Sequence, residues 1–479
     1  MGKLNKYAKL LNNSLIFALG NLGSKVIVIL LVPLYTFYLT TQDYGLVDLV
    51  ASSQALLMPF ITITAEQALL RYIIGEKDKD IINSVFSTAL FISIVMLVFF
   101  LFFCVLFYYF HVWSGKIIVY FYLLVFMAAL QILFSTYLRA IGKSKNFALS
   151  GVIQVLSILF FNLIFLVYMK LGVDGYLISL ICSYFVSNLY CFAYSRCLSI
   201  RFSEITRVSA KKIIAFSLPL IPNYSMWWVV NNSTRYVVLS YLGLSANGLF
   251  AVASKIPTCI NVFVTVFQQA WQISAFEEFD SHDRSKYYST VFRAYYQFLF
   301  IIASFLLVLN KIIFENFVSH EFMMAWKMVP LLILGVLYQT FSSFLGTIYT
   351  ANYKTKDVFL TSFVGAGISI GANFIFIPMY GEVYAGLGAS LGFFIMWLLR
   401  LIGTRKIVYT KIYYLEFILL NGMFLVQTFL LFLLNDISGE GQFFVQFLCF
   451  LMTMFLSKNF LSVLFLFFKN KILSKYINV

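Results

Sequence analysis

The chain has 479 residues, of which 62% are hydrophobic and only 11% are charged, whereas soluble globular domains average about 45–50% apolar and about 25% charged residues. This composition excludes a soluble globular protein and indicates an integral membrane protein. The formal net charge of +15 fits the excess of lysine and arginine that membrane proteins carry in cytoplasmic loops, so no nucleic-acid partner is needed.

Apolar runs long enough to cross a hydrocarbon core, which needs roughly 20 helical residues, recur from one end of the chain to the other. We therefore predict an all-α polytopic membrane protein with about fourteen transmembrane helices. The predicted spans are 14–38, 44–70, 81–110, 117–138, 147–169, 175–195, 213–241, 248–275, 290–309, 325–350, 358–380, 385–401, 412–434 and 443–468. Lys458 interrupts the last span, so an end at that residue is the alternative.

Basic residues concentrate on one of the two predicted faces of the membrane. One face holds 26 of the 34 lysines and arginines, with Arg293 and Arg400 counted among them, and the opposite face holds four. Because such residues concentrate in cytoplasmic loops, both termini are predicted to be cytoplasmic and the number of spans to be even. The remaining four lie inside spans and are Lys25, Arg235, Lys255 and Lys458.

The two halves of the chain repeat each other. Residues 136–180 align without a gap on residues 347–391, and this alignment pairs Asn162 with Asn373. Spans one to six therefore recur as spans seven to twelve, and because six is even the copies are parallel repeats. We predict an N-terminal lobe over 1–200, a C-terminal lobe over 201–407 and two appended spans over 408–479.

The sequence contains no nucleotide-binding or metal-binding motif with the required residue spacing. The segment IGKSK contains the Gly-Lys-Ser of a phosphate-binding loop. That loop needs a second glycine five residues before the glycine of Gly-Lys-Ser, and Tyr137 occupies that position. The repeat copy reads NYKTK. The six cysteines lie in or beside apolar spans without metal-ligand spacing, so we predict no ATP, no metal and no other cofactor.

Span seven carries a polar stripe. Tyr224, Trp228, Asn231 and Arg235 are spaced four, three and four residues apart, which places them on one side of a helix. Aromatic rings stack on sugars, an amide bonds hydroxyl groups, and a guanidinium pairs bidentately with phosphate. We expect this stripe to bind a sugar-like, anionic solute in a wet cavity. The alternative is that Arg235, ~9 Å from the outer loop, extends to the outer interface.

Further intramembrane cations support the stripe. Lys255 lies ~12 Å inside the next span, at a depth similar to that of Arg235, and span one carries Asn21 and Lys25 one helical turn apart. The next span offers a second cation and no nearby carboxylate. The sequence therefore predicts cations without a fixed partner, which bind an anion that comes and goes.

Two carboxylates and two prolines complete the candidate residues. Asp48 and Glu66 in span two are eighteen residues apart, hence on one face of a continuous helix. They are predicted to be ion-coupling sites or counter-ions, the alternative being local pairing near the two interfaces. Pro219 and Pro222 are predicted to break span seven and to act as a hinge, with a packing kink as the alternative.

Two segments resemble the middle of Wzx-type flippases, bacterial polysaccharide-repeat-unit transporters of the multidrug/oligosaccharidyl-lipid/polysaccharide exporter superfamily. They are FSLPLIPNYSMWWVVNNSTRYVVLSYLGLSANGLFAVASKIP and QQAWQISAFEE. The segment YLTTQDYGLVDLV is similar to the family's Tyr-Gly turn between spans one and two. The family usually has an aspartate just before the arginine, where this chain has Thr234, so ion coupling would fall to Asp48, Glu66 or another group.

The resemblance implies a flippase that moves an undecaprenyl-pyrophosphate-linked oligosaccharide from the inner to the outer leaflet of the bacterial cytoplasmic membrane. The product would enter lipopolysaccharide O-antigen, capsule or exopolysaccharide assembly. The cavity would shield the head group while the polyprenyl tail stays in membrane lipid along the appended spans. Implied partners are a polysaccharide polymerase and chain-length machinery, and an ion gradient or removal of product would supply the energy.

Two alternatives remain open. An ion-coupled multidrug antiporter of the same superfamily would share the fold, but amphipathic cations favour carboxylates in the cavity over lysine and arginine. A polytopic polysaccharide polymerase or acyltransferase would present a large outer loop or a histidine-rich cluster. The longest predicted outer loop covers only 310–324, and the three histidines lie in separate loops, so no catalytic residue is predicted.

Overall fold

The computed structural model describes residues 31–74, 76–111, 113–195, 204–352, 354–434, 439–458 and 460. All regular secondary structure in these residues is helical, which confirms the predicted fold class. Residues 31–38 form a helix that precedes α1. The α-helices that follow are α1 Thr41–Ile61, α2 Ala65–Ile73, α3 Lys79–Tyr109, α4 Gly115–Ala140, α5 Ser144–Asn162, α6 Gly172–Ser195, α7 Arg207–Ser217, α8 Ile221–Ala253, α9 Lys255–Glu278, α10 Arg284–Phe317, α11 Val329–Ala351, α12 Thr355–Tyr380, α13 Ala385–Thr404, α14 Tyr414–Leu433 and α15 Gly439–Leu456.

The described helices agree with the predicted spans. Eleven helical runs in the described residues are long and apolar enough to cross a membrane, by length and composition alone. One of these runs, Tyr224–Glu278, has 55 residues and covers both span seven and span eight, with a break at Gly243 where φ is 83°. Gly441–Leu456 is a shorter apolar helix that begins two residues before predicted span fourteen and overlaps it, and most of span one lies outside the described residues.

The described residues form two compact units, one ending at Tyr236 and the other beginning at Val237. In the first unit, α2, α3 and α4 surround a core that includes Leu69, Phe86 and Tyr137, and the last two rings are 4.2 Å apart. The fully buried Ile213 of α7 belongs to the same core. Van der Waals packing holds such a core in a membrane, because lipid tails are as apolar as leucine. The predicted lobe boundaries at 200 and 407 stay a prediction.

Close helix contacts and stacked rings organise the second unit. The rings of Trp271 and Phe344 stack at 4.2 Å, which joins α9 to α11. Helices α12 and α13 approach backbone to backbone, since a Cβ on Gly392 would lie only 2.6 Å from the carbonyl oxygen of Gly365. Small residues permit this approach, and such contacts drive helix association in membranes.

Arg400 corrects one expectation about charge. From the sequence, Arg400 is counted among the charges of the cytoplasmic face. In the structure it lies in α13 and is only 1% exposed. Its guanidinium donates to Thr361 Oγ1 at 3.0 Å, to the Ser342 carbonyl oxygen at 3.0 Å and to Ser362 Oγ at 2.9 Å. The view of Arg400 as a loop charge is wrong, because oxygens of α11 and α12 replace water around it. Removing one residue from 26 leaves the charge asymmetry intact.

Polar contacts join the appended helix α14 to α10, and the appended helix α15 to α14. Glu416 forms a bidentate ion pair with Arg293, and Ser304 Oγ donates to Gln427 Oε1 at 2.6 Å. Gln446 of α15 donates to the Gln427 carbonyl oxygen at 3.1 Å. Both α10–α14 pairs are 123 residues apart, so the two helices run parallel. This direction agrees with spans nine and thirteen crossing the membrane the same way.

Candidate functional site

The start of α1 sets the register of the site. Thr40 Oγ1 accepts from the Asp43 backbone N–H at 3.2 Å, and Asp43 Oδ2 accepts from the Thr40 N–H at 3.3 Å. This reciprocal capping box satisfies donors that the first helical turn leaves unpaired, and it stops the chain from extending the helix backward. Tyr44 and Asp48 then follow one turn apart, and they are 3% and 9% exposed.

An ion pair joins α1 to α8. Arg235 Nε donates to Asp48 Oδ2 at 2.6 Å, and the two side chains are 13% and 9% exposed. Arg235 Nη1 also donates to Asn232 Oδ1 at 3.1 Å and to the Asn231 carbonyl oxygen at 3.3 Å. The expectation that Arg235 lacks a carboxylate partner is therefore wrong. Helical spacing identifies only neighbours within a few turns, and Asp48 is 187 residues away.

Two further contacts align the same helices. Trp228 Nε1 donates to the Ser52 carbonyl oxygen at 2.8 Å, and the hydroxyl groups of Tyr236 and Ser53 are 2.8 Å apart. From the Trp228 contact to the Arg235 contact, residue numbers increase along α8, whereas the contacted residue numbers decrease along α1, from Ser52 to Asp48. The helices are thus antiparallel, as spans two and seven must be, and the pair sits in a fixed register.

Buried tyrosines and an asparagine surround this pair. Asn162 Nδ2 donates to Tyr35 Oη at 3.0 Å. The Tyr35 ring is 4.8 Å from the ring of Tyr176 and 6.2 Å from that of Tyr44, and Asp48 lies within electrostatic reach of both of these tyrosines. Residues from predicted spans one, two, five, six and seven therefore meet in one place. We call Tyr35, Tyr44, Asp48, Asn162, Tyr176 and Arg235 the polar network.

The sequence analysis did not predict the tyrosines or the asparagine as site residues. Only Asn162 carried a signal, because the internal repeat preserves it as Asn373. It is the last residue of α5 and is followed directly by a π-helical turn, Leu163–Tyr168. Such turns insert an extra residue into the helical ladder and are frequent at functional sites.

Glu66 lies apart from the polar network. Helix α1 ends at Ile61, two residues after Pro59, and Ile63 and Thr64 both adopt left-handed conformations with φ of 50° and 49°. The expectation that Glu66 shares one continuous helical face with the carboxylate of α1 is wrong, because span two consists of two helices. Glu66 is 8% exposed and accepts a hydrogen bond from Thr62 Oγ1 at 2.9 Å.

The interruptions in spans two and seven are bonded to each other. Thr64 Oγ1 donates to the Ser217 carbonyl oxygen at 2.9 Å, and Ser217 Oγ donates to the Thr64 carbonyl oxygen at 3.3 Å. Ser217 ends α7, and the 3₁₀ turn Leu218–Leu220, which contains Pro219, leads into α8. Pro222 is the second residue of α8. An interruption is thus present where the prolines predict one, and its role as a hinge stays a prediction.

The other predicted residues divide into three groups. Tyr224 and Asn231, on the same stripe as Arg235, are exposed, and Asn231 Nδ2 donates to a carbonyl one turn earlier at 2.8 Å. Asn21 and Lys25 lie outside the described residues. Lys255 is the first residue of α9 in the second compact unit. Participation of these residues in a substrate site stays a prediction.

Comparison with known proteins gives one family and one fold. A family model described as "Polysaccharide biosynthesis protein" matches residues 10–272, and no curated protein sequence matches. A structure titled lipid II flippase MurJ, inward closed conformation, is 16% identical with a TM-score of 0.67, and the match covers 94% of this chain and 99% of that chain. An inward-facing multidrug resistance MATE family transporter of the MOP superfamily is 15% identical with a TM-score of 0.61, over 83% and 94% of the two chains. A MOP superfamily transporter from Pyrococcus furiosus is 14% identical with a TM-score of 0.58, over 83% and 95%.

Proposed function

The chain belongs to the polysaccharide biosynthesis protein family, and from this premise we propose that it is a flippase for a lipid-linked oligosaccharide. Its substrate is an undecaprenyl-pyrophosphate-linked repeat unit, moved by alternating access from the inner to the outer leaflet of the bacterial cytoplasmic membrane. The product serves O-antigen, capsule or exopolysaccharide assembly. Proteins with the same fold include a flippase and multidrug transporters, and we assign no enzymatic step.

The buried pair of Asp48 and Arg235 carries the proposal. A guanidinium matches a phosphate group bidentately, and a diphosphate brings more negative charge than one carboxylate. The diphosphate therefore competes with Asp48, whose Oδ2 is 2.6 Å from Arg235 Nε, for the guanidinium. The released carboxylate then takes up a proton or a metal cation. Substrate binding and ion binding are coupled in this way through one exchangeable contact.

This exchange gives Asp48 the ion-coupling task that the resemblance implies for an aspartate beside the arginine. Thr234 cannot perform that task, because its hydroxyl carries no charge. Asp48 supplies the carboxylate from another helix of the same unit. We propose Glu66 as the second ion-coupling candidate, and Lys25 and Lys255 as further cations for the head group.

The lipid tail requires an apolar path at the side of the protein. Helices α14 and α15 expose large apolar side chains, among them Phe429 at 64%, Leu433 at 62% and Phe455 at 74%. We propose that the polyprenyl chain stays in membrane lipid alongside these helices while the head group crosses. A polymerase and chain-length machinery would receive the translocated unit.

The test measures surface polysaccharide in a producing strain whose own copy of the gene is replaced by variants. Arg235→Gln should abolish surface glycan even when its expression is raised until the amount of inserted protein equals that of the wild type. Arg235→Lys should restore it partly, because lysine keeps the charge and loses the bidentate geometry, and Lys255→Gln should resemble Arg235→Gln. Lys116→Gln is the matched control, since it removes a cation from an exposed ion pair with Asp174. Wild-type export in both Gln variants of the site, alone and together, would contradict the proposal.

Variants Asp48→Asn and Glu66→Gln in the same strain test the antiporter alternative, since a MATE family transporter shares the fold. An antiporter would change the minimal inhibitory concentrations of cationic drugs when Asp48 or Glu66 is neutralised, and glycan export would stay intact. A flippase predicts the opposite result, namely loss of glycan with unchanged drug sensitivity.

A further inference from the structure

The connector between α13 and α14, residues 405–413, has an alternating burial pattern. Val408, Thr410 and Ile412 are 1%, 4% and 4% exposed, whereas Tyr409 and Lys411, between them, are exposed. A period of two means that alternate side chains face opposite sides of an extended chain. We call this connector the strap.

Backbone contacts hold the strap in place. The N–H of Lys411 donates to Ser289 Oγ of α10 at 2.8 Å, and the N–H of Val408 donates to the Thr404 carbonyl oxygen at 2.9 Å. The buried side of the strap is therefore fixed to the second unit. The exposed side chains, Tyr409 and Lys411 among them, therefore project from a backbone that is held in one position.

Cations converge on two tyrosines at the end of the strap. The Arg293 guanidinium carbon is 3.9 Å from the centroid of the Tyr413 ring, and Lys411 Nζ is 5.2 Å from the same centroid. Arg405 Nη2 donates to Tyr414 Oη at 2.5 Å. Glu416 neutralises Arg293, while in the described part of the chain Arg405 and Lys411 form no ion pair.

We propose that the exposed side of the strap binds the phosphate of an anionic phospholipid in the inner leaflet. Tyrosine rings favour the head-group level of a bilayer, and basic residues beside a transmembrane helix attract anionic lipids. In the predicted topology the strap joins two cytoplasmic helix ends, so its tyrosines lie at that level. Arg405 and Lys411 donate to the phosphate, and Tyr409 and Tyr413 flank it.

The residues of the proposed lipid site are not part of the polar network. The lipid-site proposal therefore does not depend on the flippase proposal. Its fixed backbone also separates it from an ordinary basic loop, whose side chains are solvated and mobile. A lipid bound here would attach the base of the appended helices to the inner leaflet. The ligand is an anionic glycerophospholipid, for which phosphatidylglycerol is the probe.

The experiment titrates the purified full chain in neutral detergent with fluorescent phosphatidylglycerol and, in parallel, with fluorescent phosphatidylcholine. Arg405→Gln and Lys411→Gln should each weaken phosphatidylglycerol binding about fivefold, the increment that one juxtamembrane basic residue contributes. The double variant should lose about 25-fold, and phosphatidylcholine binding should not change. The matched control is Lys145→Gln with Lys356→Gln, which removes the same charge from two other exposed lysines.

Three outcomes would overturn the proposal. Unchanged phosphatidylglycerol affinity in the double variant would show that the strap does not bind lipid. An equal loss in the control pair would show that overall surface charge is responsible. Full displacement of phosphatidylglycerol by an equal concentration of inorganic pyrophosphate would show a site for free phosphate rather than for lipid.

Discussion

Neutralising one member of the Asp48–Arg235 pair should destabilise the protein more than neutralising both. Two unit charges about 4 Å apart interact by about 4 kcal/mol at an effective dielectric constant near 20, and isolating one buried charge costs about 3–5 kcal/mol. After Asp48→Asn, Arg235 keeps its bonds to Asn232 at 3.1 Å and to the Asn231 carbonyl at 3.3 Å. We therefore expect a loss of about 2–3 kcal/mol for Asp48→Asn and about 3–5 kcal/mol for Arg235→Gln.

The assay is reversible unfolding of the four species in mixed detergent micelles, analysed as a double-mutant cycle. The double variant should lose less than either single variant, and therefore at least about 3 kcal/mol less than the sum of the single losses, because it leaves no isolated charge. A parallel cycle on Lys116 and Asp174, an exposed pair with side chains 63% and 30% accessible, should show coupling near the error of measurement. Single losses that add within about 0.5 kcal/mol would refute the idea that Asp48 and Arg235 stabilise each other.

Three other perturbations follow from the structure. Gly392→Ala should lower the free energy of unfolding by about 1–3 kcal/mol, because its Cβ meets a backbone oxygen at 2.6 Å. Gly367→Ala, with nothing within 4 Å of its Cβ, should not lower it, and equal losses would contradict the close contact. Arg400→Met should destabilise by at least about 3 kcal/mol in the same unfolding assay, since hydrogen bonds to a charged group contribute about 1.5–3 kcal/mol each, and an unchanged midpoint would show that these bonds are dispensable. A periplasm-active reporter fused after Gly243 should be active and one fused after Lys145 inactive, and inversion at either position would break the fourteen-span topology.

Local properties account for what the sequence predicts well. Apolar length and loop charge determine where helices cross and in which direction, and the parallel run of α10 and α14 agrees with that assignment. The capping box at Thr40 and Asp43 is also a local signal. The internal repeat adds one long-range signal, because it preserves Asn162, which lies in the polar network.

Long-range pairing and backbone strain account for what the sequence does not predict. Asp48 and Arg235 are 187 residues apart, and no spacing rule connects a carboxylate in one span to a cation five spans later. The break in span two uses two left-handed residues, Ile63 and Thr64, although neither is glycine. Arg400 looks like a loop charge because its solvation by hydroxyl and carbonyl oxygens depends on two other helices.

The polar contacts between α10 and α14 bear on the order in which the protein is made. Arg293 leaves the ribosome 123 residues before Glu416, a delay of about 6–25 s at about 5–20 residues per second. During this interval Arg293 has no Glu416 with which to form its ion pair. When α14 emerges, Glu416 meets a partner that is already in place. Helices α14 and α15 thus pack against a helix that is synthesised before them, and a ribosome stalled before residue 416 would leave Arg293 without this carboxylate partner.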